Sequence, residues 1–189
     1  MLIEKQILLG SKSPRRRELL SKICKNIRYV DKEADESYLS SLSHLEVAPY
    51  LAEKKGRSLF PFLKENEILI TADTLVILKN KILGKPKNII QAKEYLLELS
   101  NNKHEVHTAC FISNKNKSKL FTVTTEVYFN TLTKEDIDYY VENYIPLDKA
   151  GAYGIQEWIG HVGVKKINGC YNNVMGLPLS KVCQELLNF

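Results

Sequence analysis

Three stretches of this chain combine residue types and spacings suited to chemistry on an anionic substrate. The first is Gly10-Ser11-Lys12-Ser13-Pro14-Arg15-Arg16-Arg17, where an apolar strand runs into hydroxyl residues, a proline and three arginines. Ser13 falls where an N-cap belongs and Pro14 where the first helical residue belongs, since proline lacks an N–H that would be orphaned there. A helix opened this way presents backbone N–H groups and the positive end of its dipole. With Arg15 and Arg16 beside it, the segment is a candidate phosphate cradle, because guanidinium forks match phosphate oxygens in pairs. A surface helix with solvated arginines shares the same pattern.

The second stretch is Ile68-Leu69-Ile70-Thr71-Ala72-Asp73-Thr74-Leu75-Val76-Ile77-Leu78. Both alternating faces are apolar, as in a strand covered on each side, and Asp73 interrupts them. A buried carboxylate needs a cation, a metal or a place at the rim of a cleft. The third is Gly84-Lys85-Pro86, a lysine framed by a glycine and a proline, suited to a phosphate or carboxylate partner and equally to an ordinary turn. Glu36 and Lys55 are unremarked in isolation and gain meaning only with the rest.

The elements that position these residues follow from periodicity. Ile7–Gly10 reads as a buried strand, Pro14–Cys24 as a helix with Leu19, Leu20 and Ile23 inward, and Asp31–Ser43 as an acidic, serine-rich loop. His44–Phe60 reads as a helix with Leu45, Ala48, Leu51 and Ala52 on its inner side, with Pro49 arguing for a late start. After the Ile68–Leu78 strand comes a turn at Lys79-Asn80-Lys81, then a helix over Ile89–Leu99. Val106–Ile112 and Leu120–Phe129 are β-rich runs joined by a polar hairpin loop. Thr133 caps a helix to about Tyr144, a glycine-containing loop covers Ala150–Gly154, a strand lies near Val162–Ile167, and Leu179–Leu187 is a closing helix. This alternation predicts one α/β domain over residues 1–189 with a mixed sheet.

Composition sets outer limits. Hydrophobic residues make up 44% and charged residues 26%, as in a globular domain. The net charge of +5 suits an anionic substrate and is too diffuse to argue for nucleic acid. Cys24, Cys110, Cys170 and Cys183 have neither a C-x-x-C pair nor metal-ligand spacing, and Cys170 and Cys183 read as small buried hydrophobes. With no signal peptide discernible and no apolar run approaching ~20 residues, a cytoplasmic protein without a membrane span is expected. His104 and His107 are three apart in a strand and face opposite ways, so they are not read as a metal pair. Trp158 is read as a packing or rim residue.

Two later blocks complete a set: Asp148-Lys149-Ala150-Gly151-Ala152-Tyr153-Gly154-Ile155-Gln156 and Gly169-Cys170-Tyr171-Asn172-Asn173-Val174-Met175-Gly176-Leu177-Pro178. With Ser11-x-Ser13-Pro14-Arg15-Arg16, Ala72-Asp73-Thr74 and Gly84-Lys85-Pro86, these five ordered blocks resemble the Maf nucleoside triphosphate pyrophosphatases over nearly the whole chain. The resemblance implies an α/β fold with a long mixed sheet and a deep cleft between two lobes. It also implies hydrolysis of nucleoside triphosphates to the monophosphate and pyrophosphate with Mg²⁺ or Mn²⁺, a homodimer, and a link to division arrest. Asp73 would be the proton acceptor, with Lys55 and Lys85 catalytic, Ser11, Ser13 and Arg16 on the phosphates, and Glu36 joining Asp73 at the metal. Arg15, Thr74 and Gln156 match the subgroup that prefers dTTP, UTP and modified pyrimidine nucleotides. Two residues depart from the pattern: Gly10 stands where alanine is usual, and Asn101 where glycine is usual.

The residues support a consistent chemistry. Arg16, Lys55, Lys85 and the helix start would neutralise the triphosphate, and Asp73 would orient or deprotonate the water that attacks the α-phosphorus. The Gln156 amide has both a donor and an acceptor for the O4 and N3–H edge of uracil or thymine. Two alternatives stay open here: a 7-methylguanosine triphosphate pyrophosphatase of the sister subgroup, and a nucleotide-binding regulator without turnover. Against the regulator, a carboxylate beside bound phosphates repels them unless a metal intervenes.

Overall fold

The computed structural model describes residues 2–32 and 35–189. In chain order the elements are β1 (Ile3–Leu9), α1 (Pro14–Ser21), β2 (Cys24–Tyr29), α2 (His44–Leu59), β3 (Glu67–Leu78), β4 (Lys81–Leu83) and α3 (Ile89–Leu99). There follow β5 (Lys103–Ser113), β6 (Ser118–Phe129), α4 (Lys134–Tyr144), α5 (Trp158–Gly163), β7 (Val164–Asn168), α6 (Tyr171–Val174) and α7 (Leu179–Leu187). The sheet has the order β2-β1-β3-β5-β6-β7, with β4 paired to β3 off that path. It is mixed: β1 is parallel to β2 and β3, whereas β3–β4 and β6–β7 are antiparallel. The α/β class expected from the sequence is the class observed.

Two compact units divide the chain. The first comprises Met1–Asp73, Thr108–Val123 and Gly176–Phe189, and the second Thr74–His107 and Thr124–Met175, so β3, β5 and β6 contribute residues to both. The core of the first unit is built on Ile7, Leu8 and Leu9 of β1, Leu19 and Leu20 of α1, and Val47, Ala48, Leu51 and Ala52 of α2, all buried. The second unit is centred on buried Leu83, Leu96, Leu99, Phe129, Tyr140 and Tyr153.

Several sequence expectations need correction. The first helix ends at Ser21 and Cys24–Tyr29 is a strand, so Ile23 lies outside the helix. Helix α2 begins at His44 despite Pro49; the carbonyl that proline cannot serve, that of Leu45, belongs to an exposed residue, so Leu45 is not an inward position. Residues 150–152 form a short 3₁₀ turn, and the strand expected near Val162 starts at Val164, after helix α5. Cys24 and Cys110 are buried, but Cys170 and Cys183 are only half-buried.

Both departures from the family pattern have a local explanation. A Cβ on Gly10 would lie 2.8 Å from Thr71 Cγ2 and would strike the end of Leu59, so these two side chains occupy the room an alanine needs. Asn101 has φ 54°, in the left-handed region where asparagine is the usual substitute for glycine.

His104 and His107 are both buried, with Nε2 of each hydrogen-bonded, to the Tyr153 hydroxyl and to Glu105 Oε2 respectively. Burial pushes the His104 imidazole down from 6.5 to about 3. The folded chain thus favours the neutral ring, and the stability this gives is complete above pH 6.5 and is lost as pH falls from there towards 3. His104→Gln, which cannot titrate, is expected to show a shallower fall of melting temperature across that acid range than the wild type.

Candidate active site

The charged cluster of the first unit is assembled from β3, α2, α1 and the loop before α2. On β3, Thr71 and Asp73 are two apart and share a face. On α2, Ala52 and Lys55 are three apart and likewise share a face. The buried Thr71 hydroxyl donates to the Ala52 carbonyl at 2.7 Å, which pins strand to helix one step before the functional pair. Gly56 permits this approach, because a Cβ there would meet the Phe111 ring and sit 3.1 Å from Thr71 Oγ1. Lys55 then donates to Asp73 Oδ1 at 2.5 Å, with Asp73 7% exposed.

The same ammonium donates to Glu36 Oε1 at 2.9 Å. Glu36 lies in an exposed loop, which the neighbouring Lys54 organises by bonding Asp35 Oδ2 at 2.8 Å and the Ser37 carbonyl at 2.8 Å. Adjacent lysines at the middle of α2 therefore gather three consecutive loop residues, and the residue with the weakest sequence context is brought to the central carboxylate.

Helix α1 supplies the rest. Ser13 is its N-cap, accepting from the Arg16 N–H at 3.4 Å, with Pro14 in the first turn as expected. Ser11 Oγ accepts from the Ser13 N–H at 3.2 Å. The Arg16 guanidinium donates from Nε to the Gly176 carbonyl at 2.8 Å and from Nη1 to the Ala72 carbonyl at 2.9 Å. Arg16 is thereby fixed against the backbone next to Asp73. Arg15 is half-buried on the same helix.

Burial pushes the Asp73 carboxyl above the ordinary carboxylate range, against the pull of Lys55 and Arg16 and with some help from Glu36. Burial likewise lowers Arg16, while Asp73 opposes that shift. A carboxylate pushed upward is a stronger base than a free aspartate.

The second unit holds Thr74, Lys85 and Gln156. Thr74, which follows Asp73 on β3, is half-buried. Lys85 is exposed in the segment after β4. Gly84 beside it has open space where a Cβ would be, so neither packing nor backbone conformation demands glycine; its carbonyl accepts from the Gly151 N–H at 3.1 Å. Gln156 is half-buried and its Oε1 is buried with no hydrogen-bond partner. Trp158 packs edge-on to Tyr139 with ring centroids 4.8 Å apart, the packing role expected of it.

Among the described residues no group of three or more His, Cys, Asp or Glu could hold a metal ion. Glu36 and Asp73 do fit a hard divalent cation in donor chemistry: both are carboxylates, and they already share one positive charge. Mg²⁺ commonly takes only one or two carboxylates from a protein and completes its shell with phosphate oxygens and water.

The Maf family model, described as Maf-like protein, matches residues 6–189. The chain belongs to the Maf family. Among curated relatives it is similar to the dTTP/UTP pyrophosphatase of Bacteroides thetaiotaomicron, 44% identical over 184 residues, 96% of this chain and 94% of that protein. It is also similar to the dTTP/UTP pyrophosphatase of Flavobacterium psychrophilum, 45% identical over 183 residues, 97% of this chain and 94% of that protein. Among solved structures the Staphylococcus aureus Ham1 protein aligns at TM-score 0.42 and 15% identity, over 66% of this chain and 72% of that chain. No helix among the described residues of this Maf chain is long and apolar enough to cross a membrane.

Sequence reasoning did not reach the buried polar group around Tyr140, Lys149 and Glu157 in the second unit. Lys149 lies inside a block quoted above, but nothing in its spacing marks it as buried.

Proposed function

We propose that this chain hydrolyses dTTP, UTP and modified pyrimidine nucleotides to the monophosphate and pyrophosphate, with water attacking the α-phosphorus. The observation that carries the reading is the buried Asp73 held at 2.5 Å from Lys55 in a chain of the Maf family. A structural ion pair has no need of a second carboxylate and a neighbouring guanidinium, whereas hydrolysis at a phosphate needs cations to offset its charge and carboxylates to take a proton or hold a metal.

Asp73 accepts the proton of the attacking water. Lys55 and Arg16 offset the negative charge that builds on the phosphorus oxygens, Ser11 and Ser13 hold the start of α1 towards the phosphates, and Lys85 adds a further cation. Glu36 and Asp73 would hold a divalent metal, Mg²⁺ or Mn²⁺, which neutralises triphosphate charge and acidifies water when bound. In phosphoryl chemistry such positioning and electrostatic stabilisation carry most of the rate gain. The active form is a cytoplasmic homodimer, with no nucleic acid or membrane partner.

Gln156 reads the base, with Arg15 and Thr74 completing the preference. Its orphaned Oε1 is an acceptor awaiting a donor, and the N3–H of uracil or thymine supplies one where cytosine does not. The test is pyrophosphate release from UTP, dTTP, CTP and 7-methylguanosine triphosphate by wild type and Gln156→Ala. Wild type is expected to favour UTP and dTTP, and Gln156→Ala to lose about 10- to 100-fold of the preference for UTP over CTP, the worth of one buried hydrogen bond left unmade. Wild-type turnover confined to 7-methylguanosine triphosphate would overturn the base assignment.

A further inference from the structure

The segment that carries Gln156 is held by a polar network in the second unit that the reaction itself does not use. Tyr140 of α4 is fully buried, its hydroxyl accepts the Gly154 N–H at 2.9 Å, and the same hydroxyl donates to Glu157 Oε2. Glu157 Oε1 pairs with Lys149 Nζ at 3.2 Å, and Lys149, 8% exposed, also bonds Asp148 Oδ1 at 2.7 Å. The residues before and after Gln156 are thus tied, within one residue on one side and two on the other, to a single phenol hydroxyl.

Two close approaches remove the remaining freedom. A Cβ on Gly154 would lie 2.6 Å from the Glu157 carboxyl carbon, so the carboxylate rests directly on that backbone. A Cβ on Gly160 would run into the Ile155 carbonyl, so the start of α5 is seated against the residue preceding Gln156. Backbone bonds from Glu157 N–H to Gly154 O at 3.0 Å and from Gly160 N–H to Glu157 O at 2.9 Å close the turn.

Burying a lysine against a half-buried glutamate is costly, and replacing such a pair by apolar residues is often neutral or stabilising, so stability alone does not account for the arrangement. What it secures is a rigid turn whose side chain keeps a buried acceptor unmet. A mobile turn would let Gln156 rotate and satisfy Oε1 locally or in water, and selection between a base edge with N–H and one without would be lost.

We infer that Tyr140, Glu157 and Lys149 are positioning residues for base selection, holding the Gly154–Glu157 turn so that Gln156 Oε1 is offered to an imide N–H. The inference rests on the reading of Gln156 as the base-recognising residue. Tyr140→Phe keeps the ring and removes the one oxygen that ties Gly154 to Glu157. The expected result is about a ten-fold loss of the UTP-over-CTP preference in kcat/KM, carried by a higher KM for UTP with kcat within about two-fold of wild type. On a Gln156→Ala background Tyr140→Phe should change the preference no further.

Glu157→Gln, which keeps the size and an acceptor for Tyr140 but loses the charge facing Lys149, is expected to move the preference in the same direction and covers the case in which Tyr140→Phe does not fold. A preference unchanged in the folded variants, while Gln156→Ala loses it, overturns the positioning role and leaves the base reading intact. A loss of kcat on UTP and CTP alike, or a lower melting temperature with selection intact, assigns the network to structure alone and also overturns it. A preference unchanged in Gln156→Ala removes the base reading, and the inference with it.

Discussion

Asp73→Asn is expected to lower kcat for dTTP and UTP by about 10²- to 10⁴-fold, the range general-base groups contribute. The substitution keeps the shape and a hydrogen-bonding oxygen for Lys55 but leaves no group able to take the proton of the attacking water. The fold should survive it. Asp73 is 7% exposed and its charged form is disfavoured by burial, so removing that charge relieves a desolvation cost. Lys55 retains Glu36 as a counter-charge at 2.9 Å. A melting temperature equal to or above that of wild type, together with lost turnover, is the expected pair of results. Near-wild-type kcat in Asp73→Asn would remove Asp73 from the chemistry.

Lys55→Met is expected to damage both fold and activity, which separates it from the first variant. Losing the ammonium leaves a buried carboxylate without its nearest cation, and breaking one side of a buried pair typically costs about 3–5 kcal/mol. Without Lys55 the Asp73 carboxyl is pushed further up, since Lys55 is the largest influence opposing burial. A carboxyl raised in the folded state above its unfolded value is most easily accommodated when protonated, so the destabilisation should grow as pH rises through the carboxylate range and shrink in acid. Turnover should fall at least about 10²-fold, as for the loss of one fixed electrostatic contact to developing charge. The double variant Lys55→Met/Asp73→Asn should regain most of the lost stability while remaining inactive. Equal destabilisation in single and double variants would show that the pair is not coupled.

How much of this was legible in the sequence depended on length and burial. Strand β3 and helices α3, α4 and α7 were readable almost to the residue, because each carries a long apolar pattern and α4 a capping Thr133 with Asp136 three residues on. Strand β2 was not, because it stands at the end of the strand order beside β1 and its sequence Cys-Lys-Asn-Ile-Arg-Tyr has no apolar alternation; Arg28 serves Glu67 of β3 through a 2.7 Å bond instead. Strand β4 is three residues long, below what periodicity resolves, and its hairpin turn at Lys79 and Asn80 takes left-handed φ values of 49° and 67°.

The candidate site shows the same division. Asp73 was conspicuous because a charge in an apolar strand contradicts its surroundings, and Ser13-Pro14 because its capping chemistry is local. Glu36 had no such contrast: its place beside Lys55 depends on Lys54 gathering Asp35 and Ser37, a tertiary arrangement with no local pattern. The Tyr140–Glu157–Lys149 group was hidden for a similar reason. A lysine and a glutamate eight apart look solvated until the fold buries the lysine against the glutamate and sets the glutamate on Tyr140.

The most direct test of the central claim is to turn over dTTP with Mg²⁺ in water enriched in heavy oxygen and locate the label in the products by mass spectrometry. Attack at the α-phosphorus by water activated at Asp73 predicts label in dTMP alone, with pyrophosphate unlabelled and labelled dTMP forming about 10²- to 10⁴-fold more slowly in Asp73→Asn. Label in pyrophosphate, or release of labelled orthophosphate from the γ-position, would contradict the account.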